Sequence, residues 1–579
     1  MDTIALTEYL FIRLRQLGLD TIHGVPGDYN LSALDFIEPL GLRWAGNSNE
    51  LNASYAADGY ARVKGIGALV TTSGVGELSA INGIAGAYAE RSPVVHIVGT
   101  PPVEIQASGM CLHHTFGDGN FRRFAQMAEH VVVAHANLTT VETSAEEVDR
   151  VLTMCKLHSR PVYIELPTNM VKAQVSRARL EEVIPPADTC VLNREIVETT
   201  SQAILTRLYA AQQPMLLLDG FVSRYNARAE AQELARALGI PTYSTAFGRS
   251  VLEEPLPNFH GVYSGPTGNS KLHAWAQSCD LVLTLGPLFS DSNTFGFTTK
   301  PDPKVSIAIH REHVELPGSD PNRSETIHGV SMNQLLRSIL NLLDTAQLLS
   351  VQHPAIAGQD VPLQIPSYDE PLKQQTLWDF LSQHLLPGDI VLADTGTSSI
   401  GSSTMVLPPL CTYITSPIWL SIGFALPATA GAAAAKRDLV LTGQASRGRT
   451  IVFEGDGSFQ MTAQSVSDMI RARLDVIIIV LNNQGYTVER WIHGMKAHYN
   501  DIMPWRYLQT ADYFGAVQDD SYPILTQRAS NWRELAQALQ APQVVKGKGL
   551  TIVELLLEES DAPLPLQQMA GAAAKRFCT

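Results

Sequence analysis

A chain of 579 residues is too long for one hydrophobic core, and at roughly 150 residues per domain it predicts three or four domains. Apolar residues at 45% and charged residues at 17% exclude a disordered or fibrous chain. Lys and Arg total 42 against 57 Asp and Glu, a net charge of -15 that gives no attraction for nucleic acid or an anionic membrane, so an anionic ligand must be held locally, by a metal or by backbone N–H groups.

The six cysteines, at 111, 155, 190, 279, 411 and 578, form no Cys-x-x-Cys pair, which argues against a disulfide framework or zinc site and for a reducing compartment. The start lacks a basic segment followed by an apolar core and reads as an amphipathic helix with Leu6, Leu10, Leu14 and Leu17 on one face. No run of 18 apolar residues is present. A cytoplasmic protein with no membrane span is expected.

In chain order, buried strands are predicted at 68–72, 94–98 and 161–166, alternating with helical patterns, as in a parallel sheet covered on both faces. A Pro-containing linker at 183–189 precedes strands at 215–218 and 281–285 and a helix over 227–238 ended by Gly239. A second linker, with Pro354, Pro362, Pro366 and Pro371, leads to a helix over 376–386 and strands at 390–392, 450–453 and 476–481. The expected architecture is α/β, with three domains at 1–182, 190–350 and 368–579, the first and third alike in kind.

The most specific signal is Gly455-Asp456-Gly457-Ser458 followed by Asn482-Asn483. The first element follows an apolar strand and opens a helix; the second ends the next strand. Both therefore sit at carboxyl ends of parallel strands, where α/β sheets bind ligands. Glycine lets the backbone approach a diphosphate, and the helix start offers free N–H donors. Asp456 and Asn483 offer one hard oxygen each, and magnesium requires about six.

This pattern resembles the thiamine-diphosphate signature, and the whole chain resembles the pyruvate decarboxylase family of 2-oxo acid decarboxylases. The likeness runs through His23-Gly24-Val25-Pro26-Gly27-Asp28-Tyr29, Asn47-Ser48-Asn49-Glu50-Leu51-Asn52-Ala53, Tyr55-Ala56-Ala57-Asp58-Gly59-Tyr60-Ala61-Arg62, His113-His114-Thr115 and Gly485-Tyr486-Thr487-Val488-Glu489. It implies pyrimidine-binding, central and diphosphate-binding domains, in that order. It implies thiamine diphosphate and Mg2+ bound between the first domain of one chain and the third of another, hence a homodimer or homotetramer. It also explains Gly74-Val75-Gly76 better than a dinucleotide loop does, since Ser79 stands where a third glycine would be needed.

By the same resemblance Glu50 meets N1′ of the aminopyrimidine and favours the tautomer that takes the proton from C2. Ile422 wedges between the two cofactor rings. Leu420, where the family commonly has glycine in Trp-Gly-Ser-Ile-Gly, offers its carbonyl to the 4′-amino group. Asp456, Asn483 and the Gly485 carbonyl hold the metal, Gly457 and Ser458 the diphosphate, and Thr397 contacts the pyrimidine. Asp28, His113, His114 and Glu489 surround C2, with Glu489 near the departing carboxylate, Asp28 and His114 relaying a proton, and His113 orienting them.

Three departures bear on the substrate. Ser292 stands where pyruvate-specific relatives tend to carry an aromatic residue, Val488 where isoleucine is frequent, and Ser399-Ile400 where a phenylalanine is frequent. They suggest room for a branched, aromatic or long-chain 2-oxo acid, unless Phe116 refills the space and pyruvate remains the substrate. The alternative activity is carboligation onto an aldehyde acceptor; a non-catalytic cofactor-binding homologue is the third reading, against which the intact Glu50, Asp28, His113, His114 and Glu489 speak. Asp219-Gly220-Phe221-Val222-Ser223-Arg224 carries no thiol where some relatives have a proposed regulatory cysteine.

Overall fold

The structure, a computed structural model, describes residues 2–185, 194–318, 324–354 and 367–577. Most of the first predicted linker and the Pro362 and Pro366 part of the second lie outside the described residues. Three large sheets follow one another along the chain. The first has the spatial order Arg43–Trp44, Thr21–Gly24, Gly67–Thr72, Val94–Thr100, Val162–Pro167, Ala134–Asn137, all parallel. The third has the order Thr412–Ile414, Ile390–Ala393, Thr450–Gly455, Val476–Asn482, Leu550–Leu556, Ile524–Ala529, also all parallel. Counted within each sheet, both read 2-1-3-4-6-5. The expected likeness of the first and third regions is therefore one of topology as well as class.

The central sheet is mixed. Phe259–Val262, Thr242–Ser244, Pro214–Leu218, Leu281–Leu285 and Ser306–Ile309 are parallel, and His313–Pro317 and Ser324–His328 add an antiparallel edge. That edge alternates apolar and polar residues rather than running continuously apolar, because only one of its faces is covered. The predicted N-terminal helix spans Leu6–Gln16 with Leu6, Leu10 and Leu14 buried, preceded by a short strand Thr3–Ala5 paired with Gln174–Ser176. The helix expected over 227–238 is Arg228–Leu238, ended by Gly239 at φ 61. The one expected over 376–386 is Gln374–Ser382 and stops sooner.

The first and third regions meet through the helices Glu50–Lys64 and Ala425–Leu441. Small residues let the backbones touch: a Cβ on Gly59 would stand 2.1 Å from the Ala428 carbonyl oxygen, and one on Gly431 1.8 Å from that of Ala56. Beside this contact Arg62 is buried. It donates to both oxygens of Asp58 at 2.7 and 2.9 Å, to Glu90 at 2.6 Å and to the Thr415 carbonyl at 2.9 Å. Glu90 in turn accepts from Ser416 Oγ at 2.6 Å and from the backbone N–H groups of Ile418 and Trp419.

Arg62→Met removes the positive charge and leaves two buried carboxylates. The expected cost is about 3–5 kcal/mol, read as a lowered denaturation midpoint of the variant against the parent.

Candidate active site

The strand Thr450–Gly455 runs directly into the helix Asp456–Thr462, and its neighbour Val476–Asn482 runs into Asn483. A cavity of about 270 Å³ opens at these carboxyl ends. Every predicted residue from Ser292 onward lines it: Ser292, Thr397, Ser399, Leu420, Ile422, Asp456, Gly457, Ser458, Asn483, Gly485, Val488 and Glu489.

Asp456 is 1% exposed and accepts N–H bonds from Gly457 at 2.8 Å and Gly485 at 3.1 Å. Burial pushes its carboxyl up to about 7, against these N–H donors. The Asn483 carboxamide presents its oxygen to the Gly485 carbonyl at 3.0 Å and to Asp456 Oδ1 at 3.1 Å, with its nitrogen facing Thr487 Oγ1 at 2.9 Å. Left to themselves these groups favour the amide turned over, its NH2 donating to both oxygens. With its oxygen turned inward, the carboxamide joins the Gly485 carbonyl and the Asp456 carboxylate as a set of hard oxygen donors of the kind a divalent cation takes. The residues thus fit a metal and the diphosphate it would neutralise. Gly485, at φ 138, has no room for a side chain, since a Cβ would lie 2.2 Å from the Asn500 carbonyl oxygen.

The loop bearing Leu420 and Ile422 is held from two directions. Asp394, buried and pushed up to about 6 by that burial, accepts N–H bonds from Gly423 and Ala425. From the first region, Tyr55 meets Ser421 Oγ at 2.7 Å, and Asn82 accepts from the Trp419 indole at 3.0 Å. Leu420 takes φ 55, a left-handed conformation that glycine adopts freely, is 39% exposed and lines the cavity.

The remaining predicted residues, Asp28, Glu50, His113, His114 and Phe116, belong to the first region and line no part of this cavity. His113 Nε2 lies 2.5 Å from Asp28 Oδ2, and His114 Nε2 lies 4.0 Å from Asp28 Oδ1. Slight burial raises the Asp28 carboxyl, but the His113 hydrogen bond and the two imidazole charges outweigh it and hold the group below its usual range. Tyr29 stacks on His113 at 5.1 Å. The side chains of this trio are 34–58% exposed. Asn49 caps the helix that Glu50 begins, accepting the Asn52 N–H at 2.8 Å, and burial raises the Glu50 carboxyl. Phe116 is 56% exposed and packs on Phe124.

The loop set aside as a dinucleotide site has a structural part here. A Cβ on Gly74 would meet the His114 carbonyl oxygen at 2.2 Å, and one on Gly76 would meet Glu50 Oε1 at 3.0 Å. Sequence reasoning also missed Phe247, Phe295, Tyr413 and Met569 in the cavity wall. None lies in a motif, and Met569 comes from the C-terminal helix Leu564–Phe577, whose apolar pattern signals only packing.

Three family models match the chain: the N-terminal thiamine pyrophosphate binding domain over residues 4–122, the central domain over 201–329 and the C-terminal thiamine pyrophosphate binding domain over 394–555. Fold and site thus define a thiamine-diphosphate enzyme. The chain is 43% identical to a pyruvate decarboxylase of Aspergillus parasiticus, over 97% of this chain and 96% of that one. It is 39% identical to one of Aspergillus fumigatus, over 99% and 97%, and 38% identical to pyruvate decarboxylase isozyme 1 of Saccharomyces cerevisiae, over 99% of each. It belongs to the pyruvate decarboxylase family, and with that membership comes non-oxidative decarboxylation of a 2-oxo acid on thiamine diphosphate.

Asp456→Ala takes away the only carboxylate among the three converging oxygens. Calorimetric titration with thiamine diphosphate and Mg2+ is expected to give no saturable binding at concentrations that saturate the parent.

Proposed function

We propose that this chain decarboxylates a 2-oxo acid, pyruvate or a larger one, to an aldehyde and carbon dioxide, with Mg2+ held by Asp456, Asn483 and the Gly485 carbonyl. One observation carries the reading of its assembly. The other cofactor-holding residues and Glu489 share a cavity between the third and central regions, whereas Glu50 and the exposed Asp28, His113 and His114 lie in the first region of the same chain and are not among the residues that line it. A homodimer or homotetramer that sets the first region of one copy against the third of another completes the site. The corresponding domain division is 1–182, 190–350 and 368–579, and the compartment the cytoplasm.

Bound thiamine diphosphate supplies the sink for the electron pair left as carbon dioxide departs. Glu50 would hold a proton at N1′ of the aminopyrimidine, the Leu420 carbonyl would accept from the 4′-amino group, and the Ile422 side chain would pack against the bound cofactor. Glu489, which lines the cavity, would stand by the carboxylate that leaves. Asp28 and His114 deliver the proton that replaces it, with His113 aligned by its bond to Asp28. Glu50→Gln keeps the shape and removes the charge. Turnover is expected to fall on the order of 10²–10⁴-fold with cofactor affinity retained, in steady-state kinetics paired with a binding titration; undiminished turnover would move C2 activation to another residue.

The substrate is larger than pyruvate in this reading. Ser292 turns its hydroxyl onto the Pro417 carbonyl and leaves no ring at its position. A roomier cavity gains roughly 0.8 kcal/mol for each extra buried CH₂ of substrate. The same width favours an aldehyde acceptor beside a small donor, the carboligation alternative. The measurement is kcat/KM for pyruvate, 2-oxoisovalerate, phenylpyruvate and indolepyruvate, with acyloin yield from pyruvate and benzaldehyde. The larger acids are expected to match or exceed pyruvate; a clear preference for pyruvate without acyloin means that the wide cavity does not set specificity.

A further inference from the structure

The antiparallel edge of the central sheet gathers side chains that the reaction does not use. The parallel strand Ser306–Ile309 turns through residues 310–312 into His313–Pro317, closed by the His310 N–H donating to the His313 carbonyl at 2.9 Å. His313 and Glu315, two residues apart, share a face of that strand, while Val314 and Leu316 fill the core on the other. The register sets His328 of the next strand opposite His313.

The spacing of these groups is specific. His310 Nε2 lies 3.6 Å from Glu315 Oε1, and His313 Nε2 lies 3.9 Å from the same oxygen. All three ligand atoms are within 4.8 Å of one another. The rings of His310 and His313 face each other at 4.2 Å, and that of His328 is 5.6 Å from His313. Among the described residues His310 Nε2 is buried without a hydrogen-bond partner, a costly state for an imidazole nitrogen. A separation of 3.6 Å is too long for a direct hydrogen bond. It is close to the roughly 3.3 Å between two ligands of one tetrahedral ion with bonds of about 2.0–2.1 Å.

We propose that His310, His313 and Glu315, with His328 in reach as a fourth ligand, form a binding site for a divalent transition metal of the zinc class. Imidazole nitrogens with one carboxylate suit zinc, cobalt, nickel or copper and not magnesium, which takes oxygen. The Arg91 guanidinium lies close enough to act on His310. Arg91 opposes a cation here; Glu315 offsets it. The neighbouring Arg311 points away, toward Glu312 and toward His158 Nδ1 of the first region at 3.4 Å. A metal would therefore tie the turn and both antiparallel strands together and fix the turn against the first region, outside the catalytic cavity.

The test uses the full-length, tag-free holoenzyme, cleared of trace metal and reloaded with excess thiamine diphosphate and Mg2+. Titration with Zn2+ is expected to show one ion per chain, and Co2+ at the same site to give the intense visible bands of four-coordinate cobalt. His313→Asn and Glu315→Gln are expected to weaken Zn2+ binding by at least about 10–100-fold and to abolish the rise in Tm that Zn2+ gives the parent, with decarboxylation in Mg2+ unchanged. Should His313→Asn fail to fold, Glu315→Gln and His328→Gln, both at the partly open edge, decide the matter alongside the cobalt spectrum of the parent. Absence of saturable Zn2+ binding, binding unaltered in these variants, or binding lost in Asp456→Ala instead would overturn the site.

Discussion

One buried guanidinium, that of Arg62, joins the parts of this molecule that have to be in register. It satisfies Asp58 and Glu90, and Glu90 uses its other oxygen to gather the N–H groups of Ile418 and Trp419 and the hydroxyl of Ser416. Arg224 of the central region lies close enough to feel the same charges. Burial and the like charge of Arg62 push it down to about 9, while Asp58 and Glu90 oppose the shift. The two carboxylates and the Arg62 guanidinium of the first region, closed over by a loop of the third, thus pair in one place. Burying ions is expensive unless each is paired and hydrogen-bonded, so the loop between Thr415 and Gly423 has little freedom to sit elsewhere. That loop carries the Leu420 carbonyl and the Ile422 side chain.

Around this point the fold divides the chemistry. Two sheets of the same topology present the carboxyl ends of their strands, as ligand-binding α/β sheets do. The third region gathers convergent oxygens, close backbone and an apolar wall, the needs of a charged cofactor and a carbon skeleton. The first gathers carboxylates and imidazoles, the needs of proton movement. The acidity of the whole chain demands the first of these arrangements: with a net charge of -15, only a local device can hold a diphosphate.

Much of this was legible in the sequence. Gly455-Asp456-Gly457-Ser458 and Asn483 lie where strand, turn and helix signals put them, because each residue type answers a stereochemical demand at a fixed spacing. Tyr55-Ala56-Ala57-Asp58-Gly59-Tyr60-Ala61-Arg62 was recognisable as a pattern, but its purpose was not, since Arg62 and Glu90 are 28 residues apart and the loop they hold lies more than 300 further on. Phe295 and Met569 reach the cavity from segments with no local signal beyond apolarity. The antiparallel edge of the central sheet was missed because its strands alternate apolar and polar residues and lack a continuous apolar run.

Leu420 has a consequence for how readily the site is reshaped. The left-handed backbone there costs a non-glycine residue roughly 1–2 kcal/mol, while glycine gives up about 0.5–1 kcal/mol in chain entropy. The balance, roughly 0.5–1 kcal/mol in favour of glycine, is what a side chain at this point of the cavity wall costs the fold. A single exchange here therefore reshapes the wall offered to substrates for a small loss of stability.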